Sequence, residues 1–111
     1  GDAADDLVVT DADFVVTTQP VAQRVVAPDA VSFTVVVDPA RGATYQWQVQ
    51  TAGAGDYVNV GPSAAYTGAR SDTLAISDST GLNKNRYRVI ALNDDGTASV
   101  TSKGAQLTVT A

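Results

Sequence analysis

Arg86 and Arg88 stand two residues apart in the run Asn85-Arg86-Tyr87-Arg88-Val89, with Lys84 just upstream. In an extended strand, alternate side chains share a face. Tyr87 and Val89 then point one way and the two arginines the other. Gln46 and Gln48 alternate in the same way with Tyr45, Trp47 and Val49. If the two strands are neighbours, Arg86, Arg88, Gln46 and Gln48 make a polar, partly cationic face. Such a face is either a solvated sheet surface or a contact surface for a carboxylate-rich partner or a glycan.

Asp94-Asp95-Gly96 is a second candidate. Asp and Gly are turn residues, and turn chemistry accounts for all three. The alternative is a Ca²⁺ site completed by aspartates near the N-terminus. Calcium takes roughly six to eight oxygen ligands, and no spacing here resembles an EF-hand loop. Asp94 and Asp95 are therefore weak calcium candidates, and no cofactor is expected. Tyr57 and Tyr66 flank a loop, where they either anchor it or offer a recognition surface.

No enzyme is expected. Histidine and cysteine are both absent, which removes the commonest general base, the thiolate nucleophile and the usual transition-metal ligands. No histidine can activate the serines and threonines, and neither Ser-x-x-Lys nor Gly-x-Ser-x-Gly occurs. Gly53-Ala54-Gly55 leads into a strand rather than a helix, so it cannot cradle a phosphate as a helix-opening loop does.

The elements that must hold these side chains are strands. The 111 residues suffice for one domain with a core of its own. Valine and threonine, stiff at the β-carbon, together supply 30 of the 111 residues. All twelve acidic residues are aspartate, which favours turns over helices. A net charge of −5 disfavours nucleic acid and anionic membranes as partners. No apolar run is long enough to cross a membrane as a helix, and no signal peptide is visible. The chain opens on Gly1 with no initiator Met, so it is either trimmed or a piece cut from a longer protein.

Residues 1–13 read as an acidic N-terminal arm or linker, with five aspartates around the apolar triplet Leu7-Val8-Val9. Three readings stand: a solvated tail, a docking arm that pairs with a partner's sheet edge, or the last strand of a preceding repeat. The third rests on the likeness of Leu7-Val8-Val9-Thr10 to Leu107-Thr108-Val109-Thr110. Residues 14–111 read as short strands broken by turn residues every 8–12 positions. Phe14–Thr18 is a strand that ends at Pro20, and Val21–Val26 continues on the other side. Ala30–Val37 and Ala43–Gln50 follow, then the short Asp56–Val60. Residues 61–72 read as one long loop. Thr73–Ser77 and Arg86–Asn93 come next. Thr97–Thr110 is the last strand, with a bulge expected near Lys103-Gly104.

Alternation selects the core: Phe33, Val35, Trp47, Leu74, Tyr87 and Val89. The order Thr17-Thr18-Gln19-Pro20, Val31-Ser32-Phe33-Thr34-Val35, Thr44-Tyr45-Gln46-Trp47-Gln48, Tyr66-Thr67-Gly68, Thr73-Leu74-Ala75-Ile76, Tyr87-Arg88-Val89 and Leu107-Thr108-Val109 resembles bacterial and bacteriophage immunoglobulin-like domains. The resemblance covers about residues 14–111. It implies an all-β fold, an antiparallel immunoglobulin-like sandwich of seven to nine strands with no disulfide. Val35 and Val89 would stand where such domains carry cysteines, with Trp47 packed between the sheets. Tyr87 would form the tyrosine corner, its hydroxyl returning to the backbone upstream. Asn83-Lys84-Asn85-Arg86-Tyr87 departs from the usual Asp-x-Gly-x-Tyr.

The resemblance also implies a surface-displayed structural or binding module. The first context is a decoration protein on a phage capsid or fibre, with weak adhesion to host surfaces or glycans. The second is one repeat of a bacterial cell-surface adhesin, beside neighbouring domains of its kind. A third is the carbohydrate-binding accessory domain of a secreted enzyme. The setting is then a virion surface or the outside of a bacterial cell, and the partner a protein assembly or glycan.

Overall fold

The structure is a computed structural model that describes residues 14–61 and 65–110. The arm triplet Leu7-Val8-Val9 lies outside the described residues. All regular structure among them is strand: β1 (Val15–Thr18), β2 (Gln23–Val26), β3 (Val31–Thr34), β4 (Val36–Asp38), β5 (Thr44–Gln50), β6 (Val58–Asn59), β7 (Tyr66–Thr67), β8 (Thr73–Ile76), β9 (Arg86–Leu92), β10 (Ser99–Thr101) and β11 (Ala105–Thr110). Among the described residues no helix is long and apolar enough to cross a membrane.

The larger sheet runs β2-β11-β9-β5-β6, with β10 also on β9. The opposing layer holds β3-β8-β7 and the ribbon β1-β4. Among the described residues every pairing is antiparallel except β2 on β11, which is parallel. That exception follows from Pro20. It is buried, lacks an N–H for the ladder, and falls between β1 in one layer and β2 in the other.

Two expected strands are each broken in two. The strand read as Ala30–Val37 divides at Val35, whose N–H turns to the Asp72 carbonyl (3.0 Å). Its two halves serve different partners, β8 and β1. The last strand divides at residues 102–104. β10 and β11 pair with β9 in registers one residue apart, so the expected bulge is present. Ser102 repairs the ladder there: its N–H donates to the Val89 carbonyl (2.9 Å), and its Oγ accepts the Val89 N–H (2.9 Å). The stretch read as a loop over 61–72 holds β7, which pairs with β8. Two residues between Ala, Gly and Ser leave too little alternation to mark a strand.

Phe33, Val35, Trp47, Leu74, Tyr87 and Val89 are all buried in one core with Val37, Ile76, Ala91 and Leu107. Burying a side chain of this size contributes roughly 1.5–3 kcal/mol. Trp47 is fully enclosed, and its Nε1–H donates to the Ser71 carbonyl (2.7 Å). Tyr87 stacks on Phe33, ring centroids 5.1 Å apart. Its hydroxyl does not return to the backbone as the tyrosine-corner expectation required. It meets the Tyr66 hydroxyl (2.9 Å) and accepts from Asn85 Nδ2 (3.4 Å). Asn83 stands where the pattern carries aspartate, and its Oδ1 accepts the Val109 N–H (2.9 Å), while Asn85 Oδ1 accepts the Ala52 N–H (3.0 Å).

The chain enters and leaves at opposite ends. Val15 pairs with Asp38, beside the turn where Gly42 packs against the Asp94 carboxylate. That end holds the β4-β5 and β9-β10 turns, and we call it the upper end. At the lower end, β11 runs out past Arg86 to Thr110, whose carbonyl accepts the Ala27 N–H (2.8 Å).

Candidate functional site

The register of β5 on β9 places Gln48 opposite Arg88, Gln46 opposite Ile90, and Gln50 opposite Arg86. Cross-strand partners share a face, so these side chains lie on the outer surface of the large sheet. Arg24 joins them through Thr108, and Gln106 through Arg86.

Arg88 is held on two sides. Its Nε donates to Gln48 Oε1 (2.8 Å), and its guanidinium carbon lies 4.0 Å from the centre of the Tyr57 ring. Gln48 Nε2 in turn donates to Asn59 Oδ1 (3.0 Å). The Tyr57 hydroxyl closes over Gly104, where any β-carbon would collide with it. A guanidinium over an aromatic face gains about 0.5–2 kcal/mol. The bracing also fixes a long side chain before any partner arrives, which reduces the ordering cost of binding.

Gln46 does not join Arg86 and Arg88 as the sequence reading grouped them. Its Nε2 donates to the carbonyls of Trp47 (2.8 Å) and Val60 (3.3 Å), so it closes the β5-β6 edge. Arg86 is exposed beside Gln50. The connected group is thus Arg88, Gln48, Tyr57 and Asn59, with Arg86 and Arg24 on the same face. In the sequence Tyr57 is paired with Tyr66 as a flank of the loop; nothing in the spacing of residues 57 and 88 foretells their stacking. Tyr66 is an anchor, bonded to Tyr87.

The sheet surface has a further property. None of its strands, β2, β5, β6, β9, β10 or β11, carries an acidic residue. The described aspartates all lie in turns and strand ends of the opposing layer.

Asp94 and Asp95 are occupied by turn structure. Asp95 accepts from the Thr97 hydroxyl (2.6 Å) and N–H (3.1 Å). These bonds hold its carboxyl below the usual range. Asp94 packs on Gly42. Among the described residues no three His, Cys, Asp or Glu side chains group as metal ligands. A cleft of about 720 Å³ lies beside Gln46, Asn59, Tyr66 and Arg70.

No family model and no curated protein matches the chain. Among solved structures, it is similar to a chain in the crystal structure of a complex of titin M10 with obscurin-like 1 Ig, at 18% identity and a TM-score of 0.61. The match covers 86% of this chain and 92% of that one. At that identity the likeness shows the fold alone, an immunoglobulin-like β-sandwich without a disulfide.

Proposed function

We propose that this chain is a non-catalytic contact module, displayed on a surface, whose working face is the outer side of the large sheet. The observation that supports this reading is Arg88, braced by Gln48 and Tyr57 at the centre of a face free of acidic strand residues. A pre-fixed guanidinium with amides around it suits carboxylates, which it can bind in a bidentate fork. The partner class is a carboxylate-rich protein segment or an acidic glycan. The solved relative comes from a complex of titin M10 with obscurin-like 1 Ig, so contact between modules is one use of this scaffold.

Decoration of a phage capsid or fibre is the leading context, with residues 1–13 as the anchor and the sandwich outward. A repeat of a bacterial adhesin is the second. It is favoured by the opposite ends at which the chain enters and leaves, which suit stacking in series. A carbohydrate-binding accessory domain is disfavoured: the sole Trp is in the core, and the Tyr57 ring is covered by Arg88.

The test is a titration of isotope-labelled protein with an oligo-aspartate peptide and, separately, with a neutral oligosaccharide. Amide shifts gathered at Arg24, Gln48, Arg86 and Arg88 with the acidic ligand are expected. No shift there with either ligand would overturn the contact face.

A further inference from the structure

The protein's charge is divided along its length. Seven bases and seven aspartates lie in residues 14–111 and cancel, so the whole net charge of −5 belongs to residues 1–13. Within the sandwich the balance is uneven. Arg24, Lys84, Arg86, Arg88 and Lys103 lie below the level of Val89, against Asp29, Asp56 and Asp78. Above it, Arg41 and Arg70 face Asp38, Asp72, Asp94 and Asp95. The lower end is positive and the upper end negative, and the acidic arm joins the sandwich at the upper end.

Of the lower end's acids, one carries a side-chain bond and another lies off the sheet. Asp78 accepts the Thr80 N–H (2.9 Å), which holds its carboxyl below the usual range. Asp29 sits in the turn below Val26 rather than on the sheet. The cations Arg24, Arg86 and Arg88 stand on the open face with no ion pair among the described residues.

We infer that the acidic arm, residues 1–13, of one copy docks on the Arg24-Arg86-Arg88 face of a second copy, joining molecules upper end to lower end. This rests on the reading of that face as a carboxylate-binding surface; it names the carboxylates and puts the arm on a second copy rather than on a capsid or fibre. Asp2, Asp5 and Asp6 lie eight to twelve residues before Phe14, roughly 25–40 Å of extended chain. From a neighbour stacked below, that reach covers the lower half of the face, since β9 itself is roughly 20 Å long. The polarity selects a second copy over the same molecule. An arm folded back along its own molecule spans the same distance and meets only the cations; stacking meets them and also sets ends of opposite charge against each other. Such a contact is heterologous, so it extends into rows rather than closing a dimer.

Because the chain has no cysteine, Ala4→Cys gives a single labelling site. Spin-labelled Ala4→Cys protein without isotope is mixed with isotope-labelled wild-type protein. The expected result is loss of the Arg24, Gln48, Arg86 and Arg88 amide signals in the wild-type partner. The signals should return at 1 M salt, where the screening length falls to about 3 Å. They should also return when Asp2, Asp5 and Asp6 of the labelled chain are changed to Asn, a change outside the sandwich. No loss between molecules, loss only when label and isotope share one chain, or loss indifferent to the Asn changes would each overturn the inference. If the face still shifts with oligo-aspartate in that case, the contact-face reading stands and this inference alone falls.

Discussion

Tyr66 and Tyr87 meet hydroxyl to hydroxyl at 2.9 Å, and the bond joins the two layers of the sandwich. Their rings are tilted by 56°, with centroids 6.1 Å apart. In place of a tyrosine returning to its own backbone, the fold has a tyrosine from β7 reaching one from β9. This gives the two-residue strand β7 a reason to exist: it carries Tyr66 to its partner.

Tyr87→Phe should cost about 1 kcal/mol of stability, the usual net worth of one hydrogen bond. Tyr66→Phe should cost less, because Tyr87 keeps Asn85 as a partner. In a double-mutant cycle by urea unfolding the pair should couple by about 0.5–1.5 kcal/mol. The pair also predicts an alkaline limit. Burial, and then the Tyr66 bond, raise the Tyr87 hydroxyl well above its ordinary 10.0. The folded state therefore holds this proton more tightly than the unfolded chain does. Its contribution is fully present below pH 10.0 and is lost as pH rises from there towards the folded value. Tyr87→Phe should flatten the fall in urea midpoint above that pH. Some slope should remain, since burial and Asp72 also raise Tyr45. An unchanged alkaline slope in the Tyr87→Phe variant would count against the buried pair.

The bulge in the last strand makes its own claim. Ser102 is buried, and its Oγ is the acceptor for the Val89 N–H in the centre of the core strand β9. Ser102→Ala leaves that amide without a partner where water cannot reach it. The cost should be about 1–3 kcal/mol, the range for an unsatisfied buried group. Hydrogen exchange at the Val89 amide should accelerate more than at Ala91. Equal exchange at both positions would mean that another acceptor takes over.

The core was legible because period-two alternation is a direct consequence of strand geometry. Phe33, Val35, Trp47, Leu74, Tyr87 and Val89 could be placed without knowing a single long-range contact. Other features were not, and each failure has a physical cause. Whether Tyr87 bonds backbone or Tyr66 depends on where a distant two-residue strand is held. That Arg88 lies over Tyr57 depends on the course of the loop between β5 and β6, which Gly53 and Gly55 leave free of any sequence pattern. Gln46 and Gln48 look alike in sequence, yet one ties the edge at Val60 and the other braces Arg88. The outward face could be assigned from alternation; which of its side chains act together could not.

Gly68 and Gly81 offer a matched pair for the last prediction. Both have positive φ, 77° and 82°, where an added β-carbon is strained by roughly 1–2 kcal/mol. At Gly81 the β-carbon would meet nothing within 4 Å. At Gly68 it would run into the Thr73 carbonyl oxygen. Gly68 also opens the turn that holds Trp47. Its carbonyl accepts from the Ser71 N–H (2.9 Å), and the Ala69 and Ser71 carbonyls accept the Trp47 N–H (2.8 Å) and Nε1–H (2.7 Å). Gly81→Ala should therefore cost about 1–2 kcal/mol and leave tryptophan emission unchanged. Gly68→Ala should cost more by about the worth of one or two of these hydrogen bonds, about 1–3 kcal/mol. Its emission should shift to the red as the 68–71 turn retreats and water reaches the indole. Equal costs with unchanged emission would show that the turn can yield without disturbing Trp47.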